Sequence, residues 1–473
     1  MAQAHVVVVG GGIAGLAAAA FLSAGPGRVT LLEASGRVGG KLMTGEVGGV
    51  RVDLGAESML ARRPEAVELA RLVGLGAELE PPSTAKAAVW TRDALRPLPA
   101  GQLMGVPGDL DALAASGVLS PAGLERARQE RDAELGPDVA IGAYVAARLG
   151  PEVVDRLVEP LLGGVYAGQA REISLRAAVP QLLAVAREGG SLVEGVHRML
   201  GRAPAGGPVF QGLRGGIGTL PQAVEAYCRT AGADLRTDSP VTGLRRTPGG
   251  WRVVTEDGEL PADAVVLAVP APHAAALLRA ELPGAAAELG GIEYAGMALV
   301  TMAFHRSELA EPLVGSGFLV PPVDGRSIKA STFSSNKWGW LDRAAPDAFL
   351  LRTSLGRYRE EQALALPDEE LVARSLADLA EAVGLRARPY DTAVTRWAGG
   401  LPQYPVGHLD RVARIRAAVE AAGGLAVCGA AYDGVGIPAC VASARRAVAG
   451  LAGLDGPPTP ARGGSATEGT MGA

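Results

Sequence analysis

Cysteine is scarce in this chain. The three that occur, Cys228, Cys428 and Cys440, form no CxxC pair, which argues against a disulfide framework or a thiolate metal site and points to reduced thiols in a cytoplasmic setting. The five histidines, His5, His197, His273, His305 and His408, show no metal-ligand spacing, so no metal is expected. Basic charge is also short: 45 Lys and Arg stand against 50 Asp and Glu, a net charge of -5, with no basic block. That balance argues against nucleic-acid binding and makes any cationic site a local feature. Long hydrophobic runs are missing too. The apolar stretch 264–278 contains two prolines and a histidine and is too short for a membrane span, and the first residues lack the basic and apolar regions of a secretory signal. A soluble protein is expected, with peripheral contact to a membrane left open.

What the chain has in excess is glycine, 66 of 473 residues, about twice the usual share and a sign of tight turns or close approach of backbone to a ligand. The length predicts two or three domains, and 48% hydrophobic with 20% charged residues is a globular composition. The β-branched run "HVVVV" at 5–9, the turn "GGGIAG" at 10–15, helix formers to 24 and "RVTLLEA" at 28–34 read as a strand–helix–strand start. Gly10, Gly12 and Gly15 give GxGxxG, with Gly11, Ile13 and Ala14 between them, and Glu33 and Ala34 follow the second strand. In that setting the glycines point to a dinucleotide site, with Glu33 placed to accept from a ribose hydroxyl.

From 105 to 200 the pattern becomes helical, with Pro121, Pro137 and Pro151 each placed as a first helical residue. Short strands return at 234–271, longer antiparallel strands at 295–355, a helix at 368–384, and a strand at 424–429 before a closing helix. Residues 456–473, rich in Pro, Gly, Ser and Thr, read as a disordered tail.

The continuation "EASGRVGGK" resembles the FAD-binding amine oxidase-like superfamily. Its glycines, Gly40 among them, let the chain run close to a pyrophosphate whose charge Arg37 or Lys41 offsets. In that superfamily the segment matching "RVDLGAES", with Gly55, Ala56, Glu57 and Ser58, passes beside the flavin, and Val241 lies in the strand that meets the adenine. The near-terminal "CGAAYDGVGIPAC" is similar to the element that folds back to complete the FAD site. The resemblance places Gly429 and Ala430 near the ribityl and pyrophosphate, and Val435, Gly436 and Ile437 at the polar edge of the flavin ring. The fold implied is α/β, with a Rossmann-like FAD domain built from both chain ends (1–80, 205–278 and 396–453), an antiparallel-sheet substrate domain (81–104 and 279–395) and a helical insertion (105–200).

The segments 158–182, 210–224 and "RWAGGLPQYPVGHLDR" at 396–411 narrow the resemblance to the protoporphyrinogen/coproporphyrinogen oxidase family, over residues 5 to 450. This implies an FAD- and dioxygen-dependent oxidase of haem synthesis that removes six electrons from a porphyrinogen and forms hydrogen peroxide. The flavin carries the chemistry, so no catalytic side chain is expected. Trp397 matches the family position near the flavin, with a core tryptophan as the plain alternative. His408 is expected to be structural. No cysteine stands where amine oxidases attach flavin covalently, so FAD is expected to be noncovalent. Where the family carries an acidic residue before the cysteine of "GIPxC", this chain has Ala439, which removes a helix-cap carboxylate.

The segment "SIKASTFSSNKWGWL" at 327–341 resembles the coproporphyrinogen branch, whose substrate carries four propionates in place of two propionates and two vinyls. Burying carboxylates requires cations, and Lys86 and Lys337 are the candidates, each equally readable as a solvated surface lysine. Protoporphyrinogen IX is the alternative substrate. Amine oxidation, carotenoid desaturation and a flavin-bound protein without turnover are the remaining classes. A haem-pathway enzyme partner is left open.

Overall fold

The computed structural model describes residues 3–202 and 207–451. The tail expected at 456–473 lies outside them. His5–Val9, Arg28–Leu32, Asp234–Arg236, Ala264–Leu267 and Leu425–Val427 form one all-parallel sheet, with His5–Val9 at its centre between Arg28–Leu32 and Ala264–Leu267. Val6 and Val8 face a core shared with the Ile13–Ser23 and Ile437–Gly450 helices, while Val7 and Val9 face one shared with the Ala271–Leu278 and His408–Ala422 helices. Both faces are covered, which is why the strand reads "HVVVV" without polar alternation. The first and last strands of the chain thus lie in one sheet.

A seven-stranded sheet forms the second body, in the order Asp391–Pro402, Tyr294–His305, Ala348–Leu355, Ile328–Thr332, Gly317–Leu319, Ala87–Thr91, Ala94–Pro97. It is antiparallel throughout except where Gly317–Leu319 runs parallel to Ala87–Thr91. The domain boundary expected at 395 falls inside the Asp391–Pro402 strand, so the substrate sheet passes the chain directly to the closing segment. Helices from Leu110–Ser116 to Leu192–Arg202 make the insertion around a core of their own. Pro121 and Pro151 open helices as expected. Pro137 does not: Ala140 pairs with Ser174 and Ile141 N–H donates to the Ile173 carbonyl at 2.9 Å, which holds the segment extended until the helix begins at Ile141. Among the described residues no helix is long and apolar enough to cross a membrane.

Candidate functional site

At the carboxyl edge of the parallel sheet, Gly10 has φ +104°, and a Cβ there would sit 2.8 Å from the Ala268 carbonyl oxygen. At Gly15 a Cβ would fall 1.9 Å from the Gly10 oxygen. These two glycines make the turn possible. Gly12 differs, since a Cβ there would meet no protein atom within 4 Å. It precedes the helix holding Ile13 and Ala14, whose N-terminus has no side-chain cap, so its first amides remain as donors beside open space. Glu33 accepts from Gly11 N–H at 2.7 Å and from Ser35 N–H and Oγ at 2.9 and 2.6 Å, with Ala34 exposed beside it. Ser239 N–H donates to the Glu33 carbonyl at 2.9 Å, which brings the strand beginning at Val241 to the same edge.

A second glycine turn faces the first. Gly39 N–H donates to the Gly11 carbonyl at 2.7 Å, and a Cβ on Gly40 would lie 3.2 Å from Gly12 Cα. Arg37 bonds the carbonyls of Val38 and Gly40 at 3.3 and 2.8 Å, so it braces this turn. Burial lowers the Lys41 ammonium from its usual range. Ala56 N–H donates to the Lys41 carbonyl at 3.2 Å, and a Cβ on Gly55 would lie 2.0 Å from that same oxygen. The Trp397 indole N–H donates to Leu54 O at 3.1 Å, with its ring edge over Gly55.

The closing element meets these turns. Gly429, at φ +125°, donates its N–H to Ser443 Oγ at 3.2 Å. Tyr404 Oη accepts from Gly434 N–H at 2.9 Å and donates to the Ala430 carbonyl, clamping the loop between them. Val435 packs on the core of the helical insertion. Gly436 starts the Ile437–Gly450 helix with no side-chain cap and no acidic residue in the first turn, and Ala439 is buried. Two uncapped helix N-termini, at Ile13 and Ile437, thus share one apolar cluster. Burial raises the Cys440 thiol to about 11, partly opposed by the Lys41 charge nearby, which puts Lys41 beside the closing helix. His408 stacks on Tyr404 with centroids 4.1 Å apart, and burial lowers it to about 4, a neutral ring; neither ring nitrogen meets a hydrogen-bond partner, so stacking takes the place of the structural hydrogen bond expected of it.

The two lysines offered for propionates are placed otherwise. Lys337 Nζ lies 2.5 Å from a Glu57 carboxylate oxygen, and Arg352 Nε 3.2 Å from the other. Burial opposes charge on Glu57, but Arg352 and Lys337 outweigh it and hold the carboxyl below its usual range. Arg352 also donates to the Gly55 carbonyl at 2.7 Å. Lys337 is therefore neutralised within a largely buried triad that anchors Gly55 and Glu57, and is not a free cation for a substrate; Ser58 follows, half-buried. Lys86 is exposed on a loop, where its carbonyl accepts from Ser316 N–H at 2.8 Å. Arg352 and Tyr404 were missed. Tyr404 stands in the quoted "PQYPVG" element, and its buried ring with a hydroxyl requiring partners was the available signal. One residue beyond Trp397, a cleft of about 700 Å³ opens between Tyr294, Tyr358, Leu364, Ala398 and Gly399, a size suited to an organic ligand.

The model of the family described as flavin containing amine oxidoreductase matches residues 13–452. A coproporphyrinogen III oxidase of Mycobacterium tuberculosis is 38% identical over 93% of this chain and 96% of its own length. A protoporphyrinogen oxidase of Bos taurus is 31% identical over 95% and 98%. Among solved structures, a putative protoporphyrinogen oxidase from Exiguobacterium superposes with a TM-score of 0.84 at 34% identity, covering 94% of this chain and 98% of that one.

Proposed function

Because the chain belongs to the flavin containing amine oxidoreductase family, we propose that it oxidises coproporphyrinogen III to coproporphyrin III with noncovalently held FAD. The observation that carries this reading is likeness to coproporphyrinogen III oxidases along 93% of the chain, the segments between the two nucleotide-binding ends included. The residues fit FAD. Gly12 leaves open space beside the first amides of the Ile13 helix, Glu33 would take the ribose, and the uncapped N-terminus of the Ile437 helix would serve the polar edge of the ring. When bound, FAD supplies a two-electron acceptor for hydride from the substrate, in three rounds that remove six electrons, with dioxygen as final acceptor and hydrogen peroxide as product.

The chain itself binds, orients and excludes water. Gly55, fixed by Arg352, and the Trp397 indole make a close-packed wall, and the Tyr404 clamp sets the closing turn. The Ile437 helix, with no carboxylate in its first turn, favours negative charge at its N-terminus. Lys41, buried beside that helix, adds positive charge there. Among the described residues all three cysteines are free and buried, and we take the reducing cytoplasm as the setting.

The second reading is protoporphyrinogen IX oxidase, favoured by the bovine relative. Side-by-side aerobic assays, following porphyrin fluorescence and peroxide with equal protein, decide between them. Faster oxidation of protoporphyrinogen IX overturns the substrate assignment.

A further inference from the structure

Lys329 lies in the middle of the Ile328–Thr332 strand and is 7% exposed. Arg357 follows the neighbouring Ala348–Leu355 strand and is also largely buried. Lys329 Nζ donates to the Gly356 carbonyl at 2.9 Å and Arg357 Nη2 to the Val320 carbonyl at 3.2 Å. A lysine has three N–H groups and an arginine five, so most of their donors are left over. Among the described residues neither cation has a carboxylate within 4.0 Å.

The two cations line one cavity with Glu159, Gly163 and Val320, between the helical insertion and the sheet. It has about 220 Å³ of empty space, of which a water-sized sphere can use about 10 Å³. That is room for about one water-sized group, such as a single carboxylate oxygen. The one acid there does not neutralise the pair: Glu159 accepts from Ala170 N–H at 2.8 Å, and burial raises its carboxyl toward the neutral form. A π-helical turn at Val154–Val158 immediately precedes Glu159, an irregularity common at functional sites. The Arg357–Tyr358 step separates this cavity from the larger cleft, Arg357 lining the first and Tyr358 the second.

Glu360, Glu159 and Asp378 offset the burial of the partly buried Arg357 from beyond ion-pair distance, but no carboxylate pairs with the buried Lys329, and such a cation costs stability unless something supplies negative charge. Burial, reinforced by the Arg357 charge, lowers Lys329 to about 7, and a bound anion would hold it protonated. Resting on the reading that the substrate is a porphyrinogen, we infer that Lys329 and Arg357 form a carboxylate subsite that receives the tip of one propionate. The cation of "SIKASTFSSNKW" that serves the substrate is then Lys329 and not Lys337.

The test uses the flavin-loaded protein with Lys329→Met, and Arg357→Gln as a second variant. Binding of coproporphyrin III and of its tetramethyl ester is followed by porphyrin fluorescence, alongside KM and kcat for coproporphyrinogen III. The wild type should prefer the free acid. Either variant should lose about tenfold in affinity for the acid and little for the ester, with the kinetic loss in KM. Removing an uncompensated buried cation should leave the thermal midpoint of Lys329→Met unchanged or raised. Equal wild-type affinity for acid and ester, or unchanged acid binding in a folded variant, overturns the inference. Wild-type protein that binds the acid selectively but oxidises neither porphyrinogen refutes the proposed reaction and leaves the subsite standing.

Discussion

At the nucleotide end, Gly10, Gly15 and Gly55 have no room for a side chain, and the helices that begin at Ile13 and Ile437 meet with bare N-termini. At the sheet end, Glu57, Lys337, Arg352, Lys329 and Arg357 carry charge into the interior. The first region recognises with backbone and the second with side chains. A phosphate needs several donors at short range, which a glycine turn supplies from neighbouring residues. A carboxylate on a large apolar ring needs cations from distant segments, brought together only by the fold.

The sharpest way to break this comparison is within the first turn itself. Gly15→Val forces a side chain onto the Gly10 oxygen and should yield no folded protein, judged by recovery and circular dichroism. At Gly12 a Cβ meets no protein atom within 4 Å, so Gly12→Val should fold like the flavin-free wild type yet carry no flavin. A Gly12 variant with full flavin content would remove backbone recognition at this turn.

At the sheet end, Glu57→Gln leaves Lys337 and Arg352 buried without their counter-charge and should destabilise by about 3–5 kcal/mol in denaturant unfolding. Adding Lys337→Met should restore part of the loss. A Glu57→Gln effect below about 1 kcal/mol would mean that water already screens the triad.

His408 sharpens the boundary between the regions. Its folded pKa, lowered by burial to about 4, lies below the usual 6.5, so the unfolded chain binds the extra proton between those values. Stability is complete above pH 6.5 and falls as pH drops toward 4, by roughly 3 kcal/mol. His408→Gln should flatten that limb of the stability profile, and an unchanged profile would assign the acid sensitivity to other groups. The smallest effect is expected from Tyr404→Phe, which removes both bonds to the closing turn. About 1–2 kcal/mol, read as a roughly tenfold weaker FAD affinity, should follow with the fold intact.

Legibility in the sequence follows the same division. The turn at 10–15, Glu33, the returning strand at 425–427 and the closing helix could be read because each is set by neighbours in the chain. Pro137 was misplaced because pairing of Ala140 with Ser174, remote in sequence, overrides a local helix signal. The strand Asp391–Pro402, within which the expected boundary at 395 lies, was not read because its polar and glycine residues mask its membership of the sheet. Lys86 and Lys337 were the lysines named from the sequence, and Lys329 was not weighed; only the approach of Glu57 to Lys337 and the burial of Lys329 in the Ile328–Thr332 strand distinguish the two lysines of that segment.

The account stands most directly on flavin reduction without oxygen. Flavin-loaded protein mixed anaerobically with coproporphyrinogen III should bleach its visible flavin absorbance, roughly ten times faster or more than with protoporphyrinogen IX at equal concentration. Flavin that stays oxidised with both porphyrinogens, or that bleaches faster with protoporphyrinogen IX, would contradict it.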